Sequence, residues 1–299
     1  MSRTASPRIC ILKADGTNCE VETATAFDLV GARPEIVPMN RLRSGERRLA
    51  DYDVLVAPGG FSYGDDVAAG KVMAVELMQR LADDMAEFAA AAKPIIGICN
   101  GFQVLVRTGL LPFNQPGVMS ATLAQNAVGR FECRWVDLVV EAATVSPLAA
   151  ALPSHLQLPL AHAEGRFFAD DAVLARIEAA HQVVLRYADR DGRPTAAYPA
   201  NPNGALGAIA GLSDPSGRIF GLMPHPNGSC AASTTRTGAA GRRTSGRTGW
   251  RSSSGSWRWR SPSTGRRSVR TPSATLCAFQ PHRLRRPHAS TCPRSEALP

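Results

Sequence analysis

The sequence predicts an α/β domain, a mostly parallel sheet with helices on both faces, followed by a disordered basic tail. Three observations carry that expectation. Residues 1–227 alternate short apolar runs with stretches of helical period, the pattern of a sheet built with crossover helices. Two of the apolar runs end in glycine-rich turns, at Pro58-Gly59-Gly60 and around Gly97-Ile98-Cys99-Asn100-Gly101. After Asn227 the composition changes abruptly to Arg, Ser, Thr, Gly, Ala and Pro.

In chain order, Ile9 to Leu12 reads as a first buried strand. A helix is expected from Cys19 to Val30, where Val21, Ala24, Phe27 and Val30 recur at helical spacing and Gly31 stops the run. Pro34 to Val37 is a second strand and Asp53 to Ala57 a third. Residues 70–92, rich in Ala, Met and Leu, predict one long amphipathic helix. Pro94 to Ile98 is the fourth strand, with a helix over Asn100 to Arg107. Beyond residue 120 the expected strands are Phe131 to Val140, Gln157 to Ala163, Val183 to Tyr187 and Leu206 to Leu212. Asp214-Pro215-Ser216-Gly217 then predicts a hairpin into Arg218 to Leu222.

Charge divides the chain in the same place. Residues 228–299 hold 14 arginines, no lysine and one acid, Glu296, so that this segment carries +13 of a net +9 and leaves −4 on residues 1–227. The segment has no Ile and three of the four Trp, too little aliphatic surface to offset chain entropy. The domains expected are therefore 1–227 and a tail at 228–299. No run of 18 apolar residues predicts a membrane span, and the apolar run at Ile9–Leu12 is too short for a signal peptide. Seven scattered cysteines without a CxxC pair predict neither a metal site nor a disulfide framework, and a reduced, cytoplasmic protein is expected.

Cys99 stands between glycines where a buried strand should end and a helix begin. Glycines permit the sharp turn, and the geometry matches the elbow that lifts a nucleophile above a sheet. The helix end behind it favours thiolate. Gly59 and Gly60 end a strand expected to neighbour that of Cys99; their N–H groups, with that of Asn100, would face the same crevice as an oxyanion hole. His225, set between two prolines, is the candidate base. Asp65 and Asp66 read as a turn before the helix at 70 rather than a metal pair. His162 and Glu164 read as structural or interfacial, Cys10, Cys19 and Cys133 as small core residues, and Arg130 and Arg134 as either docking or solvated groups.

Three segments, Ala57-Pro58-Gly59-Gly60-Phe61-Ser62-Tyr63-Gly64-Asp65-Asp66, Gly97-Ile98-Cys99-Asn100-Gly101-Phe102-Gln103 and Gly221-Leu222-Met223-Pro224-His225-Pro226, together resemble a class I glutamine amidotransferase, a flavodoxin-like fold. Within that family the chain is similar to the glutaminase subunit of phosphoribosylformylglycinamidine synthase, over about residues 8–226. Supporting matches are Asp15 to Glu20, Asn126 with Gly129-Arg130-Phe131, His162 to Phe167, and Tyr198 to Gly204. The resemblance implies that Cys99 attacks the glutamine amide and that Gly60 and Asn100 hold the oxyanion. It further implies that Gly59 and Gln103 bind substrate and that His225 passes a proton to ammonia. Ammonia would go to a large synthetase subunit, with a small accessory subunit as a further partner. No cofactor is expected in this chain, which lacks a Walker loop; ATP and Mg belong to the synthetase.

The family continues Pro-His-Pro with Glu, and this sequence has Asn227 there. Asn accepts a hydrogen bond from imidazole but brings no charge to imidazolium. The composition breaks at the same residue, so a change of reading frame near codon 227 is expected, giving an amidotransferase-like domain short of its triad acid. The alternative is a selected basic tail with interleaved Trp that binds nucleic acid through phosphates and stacking. Against it stands the absence of lysine among the 14 arginines, and nucleic acid is not an expected partner. Another cysteine hydrolase, with an acid elsewhere serving His225, is the remaining reading.

Overall fold

The computed structural model describes residues 6–226; Asn227 and the expected tail at 228–299 lie outside them. The chain runs β1 (Arg8–Lys13), α1 (Glu20–Leu29), β2 (Arg33–Pro38), α2 (Met39–Arg43), β3 (Val54–Ala57), α3 (Lys71–Arg80), α4 (Ala82–Ala90), β4 (Ile95–Ile98) and α5 (Asn100–Arg107). It continues with β5 (Ala121–Gln125), β6 (Glu132–Val140), β7 (His155–His162), β8 (Glu164–Ala169), α6 (Asp171–Ala179), β9 (Val183–Ala188), β10 (Ile209–Ser213) and β11 (Ile219–Leu222).

Nine strands form one sheet in the order β2-β1-β3-β4-β11-β10-β9-β6-β7. From β2 to β11 every pairing is parallel; from β11 to β7 every pairing is antiparallel. The central strands β3, β4 and β11 are buried along their whole length, which is why they read as unbroken apolar runs rather than alternating ones. The hairpin expected at Asp214–Gly217 joins β10 to β11, and Asp214 closes it by accepting the N–H groups of Ser216, Arg218 and Ile219. A separate two-stranded sheet pairs β5 with β8.

The single long helix expected over 70–92 is two. The chain breaks at Leu81, which has φ −131° and caps both α3 and α4. Met73, Leu77, Leu81 and Met85 are all buried and spaced by four. On a straight helix such a row drifts by about 40° per step, and the break brings it back onto the core. Helix α5 lies against β3, β4 and β11, so the turn that precedes it opens at the carboxyl ends of the parallel strands.

Candidate active site

Cys99 caps α5 with φ 50° and ψ −106°, a conformation a non-glycine residue holds only under constraint from its surroundings. The constraint is visible on both sides. A Cβ on Gly97 would lie 2.6 Å from the Gly101 carbonyl oxygen, and one on Gly101 would overlap the carbonyl of Ala57. The flanking glycines thus let α5 pack against the ends of β3 and β4 with the thiol at the turn. The Cys99 N–H donates to Leu222 O at 2.8 Å, tying the elbow to β11.

The expected lowering of the thiol by the helix end is outweighed. Cys99 is buried, 6% exposed, and burial pushes it up to about 12. Neighbouring Cys19 and Asp65 add to the rise, while the Asn100 N–H beside the sulfur works the other way. An N–H in that position is placed to meet charge that develops next to Cys99.

The glycine turn after β3 is held to the turn after β1. Thr17 and Gly60 form an isolated bridge, Phe61 N–H donates to Gly16 O at 3.0 Å, and Cys19 N–H donates to Gly59 O at 3.3 Å. Gly60 adopts φ 140°, a region that favours glycine. Gly59 lies against the His225 ring, since a Cβ there would come within 2.8 Å of Cε1. His225 is fixed from the other side by its own N–H, which donates to Pro159 O on β7 at 2.8 Å.

Asn100 is the hub of the site. Its Oδ1 accepts from the Ser62 hydroxyl at 2.6 Å and from the Ser62 N–H at 3.3 Å. Its Nδ2 donates to Asp65 Oδ1 at 3.0 Å and to Gln103 Oε1 at 3.3 Å. Asp65, expected only to shape a turn, also accepts from Gly70 N–H at 3.2 Å; burial raises its carboxyl above the ordinary range. Gln103 is buried and donates to Glu164 O at 2.7 Å. The elbow, the glycine loop and the β7–β8 connection are thereby one hydrogen-bonded unit.

His162 and Glu164 do not share one strand: β7 ends at His162 and β8 begins at Glu164 in the other sheet. His162 Nδ1 lies 3.0 Å from Asn126 Oδ1, while Asn126 Nδ2 donates to the carbonyls of Arg130 and His162. The amide orientation makes Nδ1 the donor. Burial, with opposition from the His225 charge, pushes His162 down to about 3. Arg130 and Arg134 both reach the buried carboxylate of Glu132 and the Tyr198 hydroxyl. Of the cysteines read as core, Cys10 is buried, Cys133 is exposed, and Cys19 sits half-buried with Sγ 4.0 Å from His225 Nδ1. That last placement was not foreseen; its position next to Asn18 in a matching segment was the available signal. Among the described residues no group of three His, Cys, Asp or Glu side chains is arranged to hold a metal.

The CobB/CobQ-like glutamine amidotransferase domain matches residues 6–250. The phosphoribosylformylglycinamidine synthase subunit PurQ of Methanococcus maripaludis is 43% identical over 223 residues, 74% of this chain and 81% of that protein. Its counterpart in Dehalococcoides mccartyi is 44% identical over 216 residues, 72% of this chain and 83% of that one. The structure of PurLQS from Thermotoga maritima superposes with a TM-score of 0.59 at 35% identity, covering 75% of this chain and 89% of the matched chain. The chain therefore belongs to the CobB/CobQ-like glutamine amidotransferase family, alongside the PurQ subunits of phosphoribosylformylglycinamidine synthase.

Proposed function

We propose that this chain is the glutaminase subunit of phosphoribosylformylglycinamidine synthase, releasing ammonia from glutamine for a synthetase subunit in purine biosynthesis. The observation that carries the reading is Cys99 on a strained elbow, with the Asn100 N–H at its sulfur and the glycine turn that packs on His225 alongside.

In this mechanism Cys99 Sγ attacks the side-chain carbonyl carbon of glutamine as His225 takes the thiol proton. The oxyanion is met by the N–H of Asn100 and by that of Gly60. Collapse of the tetrahedral species expels ammonia, protonated by His225, and leaves a γ-glutamyl thioester. Water, deprotonated by His225, then releases glutamate and restores the thiol. Gly59 and Gln103 are the substrate-contacting residues in this scheme. Burial raises the Cys99 thiol, which favours transfer of its proton to His225 in step with attack.

In this reading ATP and Mg belong to the synthetase and a small accessory subunit is a further partner; what supports a multi-subunit partner is the 35% identical likeness to the structure of PurLQS. No helix among the described residues is long and apolar enough to cross a membrane; a cytoplasmic location belongs to the reading as a purine-synthesis subunit. A second reading, a chain that docks on the synthetase but hydrolyses glutamine poorly, rests on Asn227 standing where the family has Glu.

The test is glutamate release by the full chain, alone and with the synthetase subunit from the same organism. Glutamine-dependent turnover that disappears in Cys99→Ala supports the reading. Turnover retained in Cys99→Ala removes it, and binding without turnover selects the second reading.

A further inference from the structure

Cys19 lies 206 residues from His225 in sequence and meets its ring in the fold. Its Sγ stands 3.3 Å from Asn18 Oδ1, an oxygen that can only accept, so the thiol hydrogen is directed to Asn18. A sulfur lone pair is thereby turned toward His225 Nδ1 at 4.0 Å. Backbone contacts hold the residue on both sides. Its N–H donates to Gly59 O at 3.3 Å, and its carbonyl accepts the Thr23 hydroxyl at 2.6 Å and the Thr23 N–H at 3.1 Å. One residue thus ties the start of α1, the glycine turn and the candidate base together.

From this geometry we infer that Cys19 is a positioning residue for His225, an inference that rests on the glutaminase reading above. Nδ1–H donates to Cys19 Sγ, which fixes the tautomer and the ring plane. Nε2 is then the nitrogen that takes the Cys99 proton and returns it to ammonia. In a serine triad the acid does this through Nδ1 and adds charge. Cys19 supplies the orientation and not the charge. It acts from a segment that precedes the sheet's first crossover. Among the described residues, the titratable groups seen to face the ring include Cys19 from the start of α1 and His162 from β7, whose protonation His225 opposes.

The experiment compares wild type, Cys19→Ala and Cys19→Ser in the full chain bound to its synthetase subunit, measuring glutamate release across pH. Loss of orientation is expected to lower kcat about tenfold in Cys19→Ala, with KM for glutamine little changed. An N–H donor bonds its acceptor more strongly as imidazolium than as imidazole. Losing that acceptor therefore moves the His225-governed ascending limb of kcat/KM to lower pH. Serine, which accepts from Nδ1 and donates to Asn18, is expected to recover most of the activity.

Wild-type kcat and an unmoved limb in Cys19→Ala would overturn the inference, as would a serine variant no better than alanine. The full chain has six histidines, so 15N labelling of histidine, with His225→Gln for assignment, reads the tautomer directly. Nδ1 protonated in wild type, with that state weakened in Cys19→Ala, supports Cys19; Nε2 protonated overturns it. If wild type releases no glutamate, the glutaminase reading fails, and the tautomer still decides the Cys19 contact.

Discussion

Gly101, in the first turn of α5, packs its Cα onto the carbonyl of Ala57 at the end of β3, leaving no space for a methyl group. Its backbone is helical, so the glycine is required by overlap and not by dihedral freedom. Gly101→Ala is expected to cost about 1–3 kcal/mol, the usual penalty of overpacking a rigid interior site, and to lower turnover by tilting the elbow. Gly31→Ala is the control: φ is 79° with nothing near its Cβ, so only backbone strain is added. Urea denaturation of both variants checks the pair, and activity should fall in Gly101→Ala alone.

Burial of Cys99 has a direct chemical readout. With the thiol pushed up to about 12, its thiolate fraction keeps rising across the whole accessible pH range. The alkylation rate of Cys99 by iodoacetamide in the unliganded chain is therefore expected to climb about tenfold per pH unit from neutrality, without a plateau. Peptide mass spectrometry separates Cys99 from Cys19. A plateau below pH 9 would contradict the account of a buried, neutral thiol.

His162 gives a stability prediction with a definite sign. Its folded value is pushed down to about 3, against about 6.5 in an unfolded chain. Below that unfolded value the unfolded state takes up a proton that the folded state refuses. The stabilisation is complete above about pH 6.5 and is lost as pH falls toward 3, at about 1.4 kcal/mol per pH unit for one proton. His162→Gln removes this term, so the difference in unfolding free energy between wild type and variant should shrink on acidification. A difference independent of pH between 6.5 and 4 would show that His162 charges freely.

The elbow, the glycine turn and the histidine mount were legible because each is a contiguous motif whose chemistry is local. The parallel strands were legible for a related reason, since full burial leaves an unbroken apolar run. What the sequence hid depends on distance or on competing periods. Cys19 meets His225 across 206 residues, and no spacing rule connects them. Asp65 looked like part of a turn because its partner, Asn100, is 35 residues away. The break at Leu81 was masked by an apolar row spaced by four, which a straight helix also displays over short windows. β8 and α6 follow β7 closely, and Glu164 to Ala179 mixes both periods.

Asn227 bears on the last prediction. It stands outside the described residues, immediately after Pro226, and two positions beyond a histidine fixed by its N–H to Pro159 O. In the proposed mechanism His225 becomes imidazolium when it takes the Cys99 proton, and a carboxylate at 227 would add a charge to stabilise it that an amide does not bring. Asn227→Glu in the full chain is therefore expected to raise kcat for glutamine hydrolysis by about tenfold or more, with KM little changed, because the gain exists only while His225 is charged. The gain should persist in Cys19→Ser, where orientation is kept, and shrink in Cys19→Ala, where the ring is free to turn. Steady-state kinetics on wild type, Cys19→Ser and Cys19→Ala, each with and without Asn227→Glu, measures that coupling. Additive effects would show that charge and orientation reach His225 separately.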